Sequence, residues 1–161
     1  MKASNRRDIE IVHHVADGVY ISSSGAIRLV PRLRQAGITS VLKLYFYIPD
    51  WPDDFLVCDN PLKDGEFIDQ AVLQRGVAFI SEQVDAGQAV LVVCGAGISR
   101  SSTFVLAYLL ERGYHPRDAW RLLHSRHSQA RPLPKMWQSL LAHYDLPYTM
   151  RDVVDWQLKK T

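Results

Sequence analysis

The sequence is short of features that would each indicate a particular class of protein. It holds only two cysteines, Cys58 and Cys94, so it lacks the disulfide framework of small secreted domains. Its longest apolar runs, residues 89–94 and 104–110, fall far below the ~20 residues of a membrane-spanning helix. The amino terminus carries charges where a signal peptide has its apolar stretch. These absences predict a soluble, cytoplasmic protein with no membrane span.

The sequence also lacks a large excess of charge of one sign. Nineteen Lys and Arg against seventeen Asp and Glu give a formal net charge of +2, which does not indicate nucleic-acid binding. The charges are unevenly distributed, because residues 50–85 hold nine acids and two bases, whereas residues 111–135 hold six bases and two acids. Two solvated faces would explain this pattern, and a basic rim that attracts an anionic substrate is the alternative.

The order of predicted elements indicates the fold class. The 161 residues fit one domain, residues 1–161, and no repeat or linker marks a boundary. Apolar periodicity predicts strands over 18–22, 39–44, 55–59 and 89–93. It predicts helices over 31–36, 66–85, 100–112, 116–127 and 134–144, with a small terminal helix after 145. Alternating strands and helices followed by helices alone predict an α/β domain with a central, mostly parallel sheet flanked by helices.

The residues that could take part in a reaction lie where the most apolar predicted strand ends. Cys94 ends that strand, Gly95, Ala96 and Gly97 follow, and Arg100 begins the next helix. In an open α/β sheet, ligands bind beyond the carboxyl ends of the strands. Small residues allow backbone amides to face a concavity, and the helix amino terminus adds positive potential. The segment predicts a phosphate site in which Arg100 binds two oxygens.

Cys94 lies at the floor of this predicted site. Helix amino termini and nearby cations lower the pKa of a cysteine from about 8.5 to roughly 3.5–7.5, so we expect a thiolate. A thiolate facing a bound phosphate is a nucleophile. A buried, inert thiol is the alternative, but the coincidence of strand, glycine-containing loop, Arg100 and helix favours the nucleophile.

The nonapeptide from Val93 to Ser101, VCGAGISRS, resembles a known signature loop. That loop, His-Cys-x-x-Gly-x-x-Arg-Ser/Thr, belongs to the cysteine-dependent protein tyrosine phosphatases, and the Ala-Gly-x-Ser-Arg-Ser form resembles their dual-specificity branch. The resemblance covers about residues 9–145 and leaves 146–161 as a carboxy-terminal extension. Two positions depart from the pattern: Val93 replaces the usual histidine, and Leu133 stands where an asparagine is common.

The resemblance implies a function and a set of site residues. Cys94 would attack phosphorus, Asp64 would act as general acid, and Ser101 would assist departure of the thiolate. The implied phosphate-binding residues are Gly95, Ala96, Gly97, Ile98, Ser99 and Arg100. The implied substrates are phosphorylated proteins or peptides, with phosphotyrosine and possible phosphoserine or phosphothreonine as targets, and neither a cofactor nor a metal is expected.

The general acid has more than one candidate. Trp51-Pro52-Asp53 spells the acid-loop motif of the larger tyrosine-specific phosphatases, but Asp53 precedes the strand predicted over 55–59. An acid that faces the loop should follow that strand. Asp64 does follow it and lies thirty residues before Cys94, a spacing similar to that of the dual-specificity branch. We therefore predict Asp64 as the acid, with Asp53, Asp69 or no acid as alternatives.

Other sequence features have less specific explanations. His13-His14 and the pair His124 and His127 have no nearby ligands at the spacing of a closed metal site, so we expect solvated or core histidines. The aromatic residues of segment 45–51 predict core packing, with a wall for an aryl phosphate as the alternative. We expect Cys58 to be buried and inert rather than a redox partner of Cys94.

Other functions remain as alternatives to a protein phosphatase. A lipid or inositol phosphatase of the same superfamily is the first, although the variable loop positions carry no charge. A non-catalytic phosphoprotein-binding module is opposed by the presence of both Cys94 and Arg100. A sulfurtransferase is opposed by Ser101 and Asp64.

Overall fold

A computed structural model describes residues 9–47 and 50–159 of the chain, so residues 1–8, 48–49 and 160–161 lie outside the description. Five strands form one sheet in the order β1-β2-β5-β3-β4. They are β1 (His13–Ala16), β2 (Val19–Ser23), β3 (Ser40–Lys43), β4 (Leu56–Asp59) and β5 (Val90–Cys94). Only β1 and β2 pair antiparallel within this sheet. The predicted α/β class with a mostly parallel sheet is confirmed.

Six α-helices accompany the sheet in the described part of the chain. They are α1 (Val30–Gln35), α2 (Gln70–Asp85), α3 (Arg100–Glu111), α4 (Pro116–Arg126), α5 (Pro134–His143) and α6 (Met150–Leu158). A 3-10 helix (Ser24–Leu29) joins β2 to α1. No described helix has the combination of length and apolar character that crossing a membrane requires.

Two features differ from the predicted elements. The helix predicted over 66–85 begins only at Gln70, because the side chain of Asp69 accepts a hydrogen bond from the amide of Ala71 and caps the helix there. The strand β1 was not predicted. It contains two histidines and pairs only with β2, through a tight turn in which Asp17 adopts a positive φ of 49°.

The sheet is covered on both faces, which explains the uninterrupted apolar character of its central strand. One face packs against α2, α3 and α4, with Val92, Phe104 and Trp137 among the buried residues. The other packs against α1 and the 3-10 helix through residues such as Leu33 and Val93. All five residues of β5 are buried, and each face takes alternate residues of the strand.

The parallel strands bring their carboxyl ends to one edge of the sheet. Ser23 pairs with Cys94 at the end of β2 and β5, and Lys43 pairs with both Val93 and Asp59. Segments that follow β2, β3, β4 and β5 therefore meet at this edge. The candidate site is built from these segments.

Candidate active site

The segment between β5 and α3 forms a short loop, defined here as the phosphate loop (residues 94–101). Cys94 is the last residue of β5 and only 2% exposed, and Arg100 is the first residue of α3. The Sγ atom of Cys94 lies 3.2 Å from the hydroxyl oxygen of Ser101, which is fully buried. The strand thus fixes the thiol beneath the amino terminus of a helix, where the helix dipole favours a negative charge.

The carbonyl oxygens of Gly95 and Gly97 in the phosphate loop point outward, towards partners on other segments. The carbonyl oxygen of Gly95 accepts from both the amide and the hydroxyl of Ser24, at 3.3 and 3.2 Å. The carbonyl oxygen of Gly97 lies 2.6 Å from the Nε2 atom of His127. Because carbonyl oxygens only accept, these contacts remove negative partial charges from the interior of the loop.

The next two carbonyls are held in the same way. The backbone amide of Arg131 donates to the carbonyl oxygen of Ile98 at 2.9 Å. The carbonyl oxygen of Ser99 accepts from the amide and the hydroxyl of Thr103, at 3.0 and 2.8 Å. A trans peptide is planar, so its N–H points opposite to its C=O. Outward carbonyls therefore direct the following amides towards the centre of the loop, an arrangement that suits an anion.

Gly97 is required at its position. It has a positive φ of 72°, a conformation that side-chain-bearing residues rarely adopt. A Cβ atom there would also lie 2.7 Å from the amide nitrogen of Ser23 and 2.9 Å from the carbonyl carbon of Ser22. The phosphate loop therefore lies directly against the end of β2, and only glycine fits between them.

The guanidinium of Arg100 connects the phosphate loop to two neighbouring segments. Its Nη1 atom donates to the carbonyl oxygens of Leu44 and Leu62, both at 3.1 Å. Its Nε atom is buried and has no hydrogen-bond partner among the described residues. A Cβ atom at Gly95 would lie 3.2 Å from Nη2, so this nitrogen faces the loop. The edge formed by Nε and Nη2 is therefore available for bidentate binding of an oxyanion.

Asp64 lies on the segment that Arg100 contacts. It is exposed in the turn after β4, two residues beyond Leu62. A Cβ atom at the next residue, Gly65, would lie 3.1 Å from the side chain of Leu133, whose amide donates to the hydroxyl of Ser99. Asp64 thus lies between Leu62, which contacts the phosphate loop directly, and Gly65, which lies against the Leu133 side chain. It does not cap α2, since Asp69 fills that role.

Asp53 lies at the other edge of the sheet. It is exposed in the turn before β4, where the amide of Phe55 donates to the carbonyl oxygen of Pro52 at 2.9 Å. Its neighbour Asp54 forms an ion pair with Arg34 of α1, the helix that precedes β3. Since β4 runs parallel to β5, residues before β4 lie opposite the carboxyl end that carries Cys94.

The aromatic residues of segment 45–51 divide into an inner and an outer pair. Tyr45 and Trp51 are buried, and the indole nitrogen of Trp51 donates to the hydroxyl of Tyr45 at 3.1 Å. Phe46 and Tyr47 are 61% and 51% exposed. The hydroxyl of Tyr47 lies 2.9 Å from that of Ser24, a residue that also contacts Gly95 of the phosphate loop. Tyr45 and Trp51 therefore belong to the hydrophobic core, whereas Tyr47 lies at the rim of the phosphate loop.

Comparison with known proteins identifies the family. The family model for the catalytic domain of dual specificity phosphatases matches residues 19–145. The chain belongs to the dual-specificity phosphatase family. The predicted enzyme class, a cysteine-dependent protein phosphatase, is thereby confirmed.

Individual relatives agree with this assignment. Dual specificity protein phosphatase 1B of Arabidopsis thaliana is 33% identical over 123 residues, which cover 74% of this chain and 74% of that protein. Human dual specificity protein phosphatase 12 is 34% identical over 108 residues, 63% of this chain but only 32% of that protein. The match therefore spans about a third of the human relative's length.

Solved structures share the fold. The crystal structure of human DUSP28 superposes with a TM-score of 0.76 at 27% identity and covers 83% of this chain and 95% of that one. A mouse putative dual specificity phosphatase, crystallised with zinc tungstate, gives a TM-score of 0.79 at 24% identity, with 90% and 91% coverage. At this identity, the likeness to the mouse structure shows a shared fold and nothing more.

Three of the described histidines contact other side chains or the phosphate loop. No group of three or more His, Cys, Asp or Glu side chains in residues 9–47 and 50–159 is arranged to hold a metal ion. His124 stacks on Trp120, with ring centroids 5.0 Å apart. His13 and His127, far apart in sequence, lie with their Nδ1 atoms 2.7 Å apart. The contact of His127 with the phosphate loop was not predicted, since no local pattern marks it.

Cys58 of the phosphatase lies away from the phosphate loop. It is half-buried on β4, which pairs with β3 and not with β5. Burial raises the pKa of the Cys58 thiol, while nearby Arg75 lowers it to a smaller extent. A raised pKa favours the unreactive thiol form.

Proposed function

We propose that this phosphatase hydrolyses phosphomonoesters through a phosphocysteine on Cys94, with phosphotyrosine in proteins as its main substrate. The observation that carries the proposal is the arrangement of the phosphate loop around the thiol. Four outward carbonyl contacts, at Gly95, Gly97, Ile98 and Ser99, leave the loop interior to amide groups and to the free edge of Arg100. An oxyanion bound there would lie over the Cys94 sulfur.

The first chemical step transfers the phosphoryl group to sulfur. The Cys94 thiolate attacks phosphorus, a P–S bond forms, and the ester P–O bond breaks with its electron pair on the leaving oxygen. Asp64 gives its proton to that oxygen, which converts a poor leaving group into an alcohol or phenol. The amides and Arg100 stabilise the negative charge on the three equatorial oxygens.

The second step releases phosphate and restores the enzyme. Asp64, now a carboxylate, takes a proton from water, whose oxygen attacks phosphorus as the P–S bond breaks. The electron pair returns to the Cys94 sulfur, and inorganic phosphate leaves. The hydroxyl of Ser101, 3.2 Å from that sulfur, is placed to donate a hydrogen bond to the departing thiolate.

The rim of the phosphate loop supports an aryl phosphate as substrate. Tyr47 offers an exposed ring beside Gly95, and Phe46 next to it is exposed as well. Aromatic rings of this kind favour stacked or edge contacts with a phosphotyrosine ring. The variable residues of the loop carry no cation for the further phosphates of an inositol lipid. Phosphoserine and phosphothreonine, whose shorter chains reach the same thiol with fewer ring contacts, would be slower substrates.

A substrate panel tests the proposal. Phosphate release is measured with one peptide carrying phosphotyrosine, phosphoserine or phosphothreonine at the same position, and with phosphoinositide vesicles. We expect the highest kcat/KM with phosphotyrosine and no release by Cys94→Ser, whose hydroxyl stays protonated and is a poor nucleophile. Faster hydrolysis of phosphoinositides would assign the lipid function instead, and activity in Cys94→Ser would contradict the mechanism.

A further inference from the structure

A pair of histidines, one fully buried and one half-buried, lies beneath the phosphate loop. His127 is fully buried at the carboxyl end of α4, and its Nε2 atom lies 2.6 Å from the carbonyl oxygen of Gly97. Its other ring nitrogen, Nδ1, lies 2.7 Å from Nδ1 of His13 on β1. Val93, the residue before the nucleophile, has no hydrogen-bonding side chain, so the loop depends on partners from other elements.

The two contacts determine which nitrogens carry hydrogen. A carbonyl oxygen only accepts, so Nε2 of His127 carries the hydrogen that is donated to Gly97. In neutral His127, Nδ1 is then an acceptor, and Nδ1 of His13 must donate to it. The carbonyl of Gly97 thus fixes the tautomer of His127, and His127 in turn fixes that of His13. The donors run from His13 to His127 to Gly97.

The surroundings of His127 favour its neutral form. Burial lowers the pKa of His127, the bond to Gly97 opposes this effect, and the neighbouring His13 lowers the pKa further. A neutral ring keeps one donor for Gly97 and one acceptor for His13. The orientation of His127 is therefore held from both sides.

We propose that His127, oriented by His13, is the positioning residue that fixes the Gly97–Ile98 peptide of the phosphate loop. With the carbonyl of Gly97 held outward, the amide of Ile98 points towards the bound oxyanion. The role of the amide rests on the proposed function, because it acts on the phosphoryl oxygens. His127 itself does not touch substrate.

Oxyanion binding with matched variants tests the proposal. The probe is inorganic tungstate, measured by calorimetry on the whole chain. His127→Leu removes the donor while keeping apolar volume, and His127→Gln keeps an N–H at the end of the side chain. We expect His127→Leu to bind tungstate about three- to tenfold more weakly, the effect of losing one hydrogen bond, and His127→Gln to recover most of the affinity. His124→Leu on the same helix is the control and should bind like wild type.

His13 provides a second pair of variants. They test whether His13 orients His127 even if His127→Leu fails to fold. His13→Asn keeps a donor near the position of Nδ1, whereas His13→Leu does not. Nitrogen NMR of the histidine rings should show Nε2 of His127 protonated in all three proteins, because the carbonyl of Gly97 only accepts. The Nδ1 signal of His127 should show the shift of a hydrogen-bonded acceptor in wild type and in His13→Asn, and lose that shift in His13→Leu. If His13 only packs against His127, the Nδ1 signal will be the same with and without the donor.

The outcomes separate this proposal from the proposed function. Equal tungstate affinity in wild type and His127→Leu, or equal losses in the Leu and Gln variants, would overturn the positioning role even if turnover is normal. An unchanged Nδ1 signal of His127 in His13→Leu would do the same for the orienting role of His13. A wild-type protein that binds tungstate more tightly than His127→Leu does but hydrolyses no phosphomonoester would contradict the proposed function alone.

Discussion

Arg100 donates from Nη1 to the carbonyl oxygen of Leu62 at 3.1 Å, and this bond joins the phosphate loop to the segment that carries Asp64. The same nitrogen also donates to Leu44, which follows β3. One side of the guanidinium is thus used to hold neighbouring segments, while the other side is free for a ligand.

Arg100→Lys should lower kcat/KM for phosphotyrosine peptide by about 10²- to 10³-fold. A lysine ammonium is a compact charge and cannot both contact two carbonyls and bind two oxygens of a phosphate. Steady-state kinetics measure the loss, and circular dichroism confirms that the variant folds. Turnover within a few-fold of wild type would remove Arg100 from the phosphate site.

Ser101→Ala should slow the second half of the reaction. Its hydroxyl lies 3.2 Å from the Cys94 sulfur, and a hydrogen bond to the departing thiolate should contribute about 10- to 100-fold in rate. With a nitrophenyl phosphate substrate, we expect rapid release of one equivalent of nitrophenol followed by a slow steady state. If the initial release slows as much as the steady state does, Ser101 assists attack rather than departure.

Gly97→Ala should abolish oxyanion binding, because the added Cβ would lie 2.7 Å from the amide nitrogen of Ser23. Gly113→Ala is the matched control, since Gly113 also has a positive φ but has no atom within 4 Å of the added Cβ. Both variants should lose about 1–2 kcal/mol of unfolding free energy from the strained backbone, and Gly97→Ala should lose more because of the clash with β2. Equal tungstate binding by the two variants would mean that the phosphate loop tolerates the displacement.

Asp64→Asn should lower turnover by about 10²- to 10⁴-fold, as expected for loss of a general acid. The loss should be large for phosphotyrosine and smaller for a nitrophenyl ester, whose leaving group needs little protonation. Asp53→Asn is the control, because Asp53 lies at the opposite edge of the sheet. A loss that depends on the leaving group in Asp53→Asn, with Asp64→Asn near normal, would transfer the acid to Asp53.

Features formed by residues close together in the chain could be predicted from the sequence. The apolar run that became β5, the glycine-containing loop and the following helix are contiguous, so their pattern predicted that Cys94 and Arg100 lie at one site. The fold class followed from the order of strands and helices along the chain. Chain order alone separated Asp64 from Asp53, since one follows β4 and the other precedes it.

The features that were missed depend on contacts between distant segments. His127 lies thirty residues beyond Gly97, and His13 lies at the other end of the chain. Neither belongs to a periodic pattern or motif, so the contacts became visible only when the sheet brought β1 and α4 together. The late start of α2 has a local cause, since both Asp64 and Asp69 are plausible caps and only the structure distinguishes them.

The central claim, that Cys94 forms a phosphocysteine, can be tested directly by trapping the intermediate. Wild type and Asp64→Asn are mixed with nitrophenyl phosphate, quenched within the first turnover, digested and analysed by mass spectrometry. We expect one phosphoryl group on the peptide that contains Cys94, with more of it in Asp64→Asn, because loss of the base slows attack by water. Turnover that proceeds without any phosphoryl group on Cys94, or with the group on another residue, would contradict the proposed mechanism.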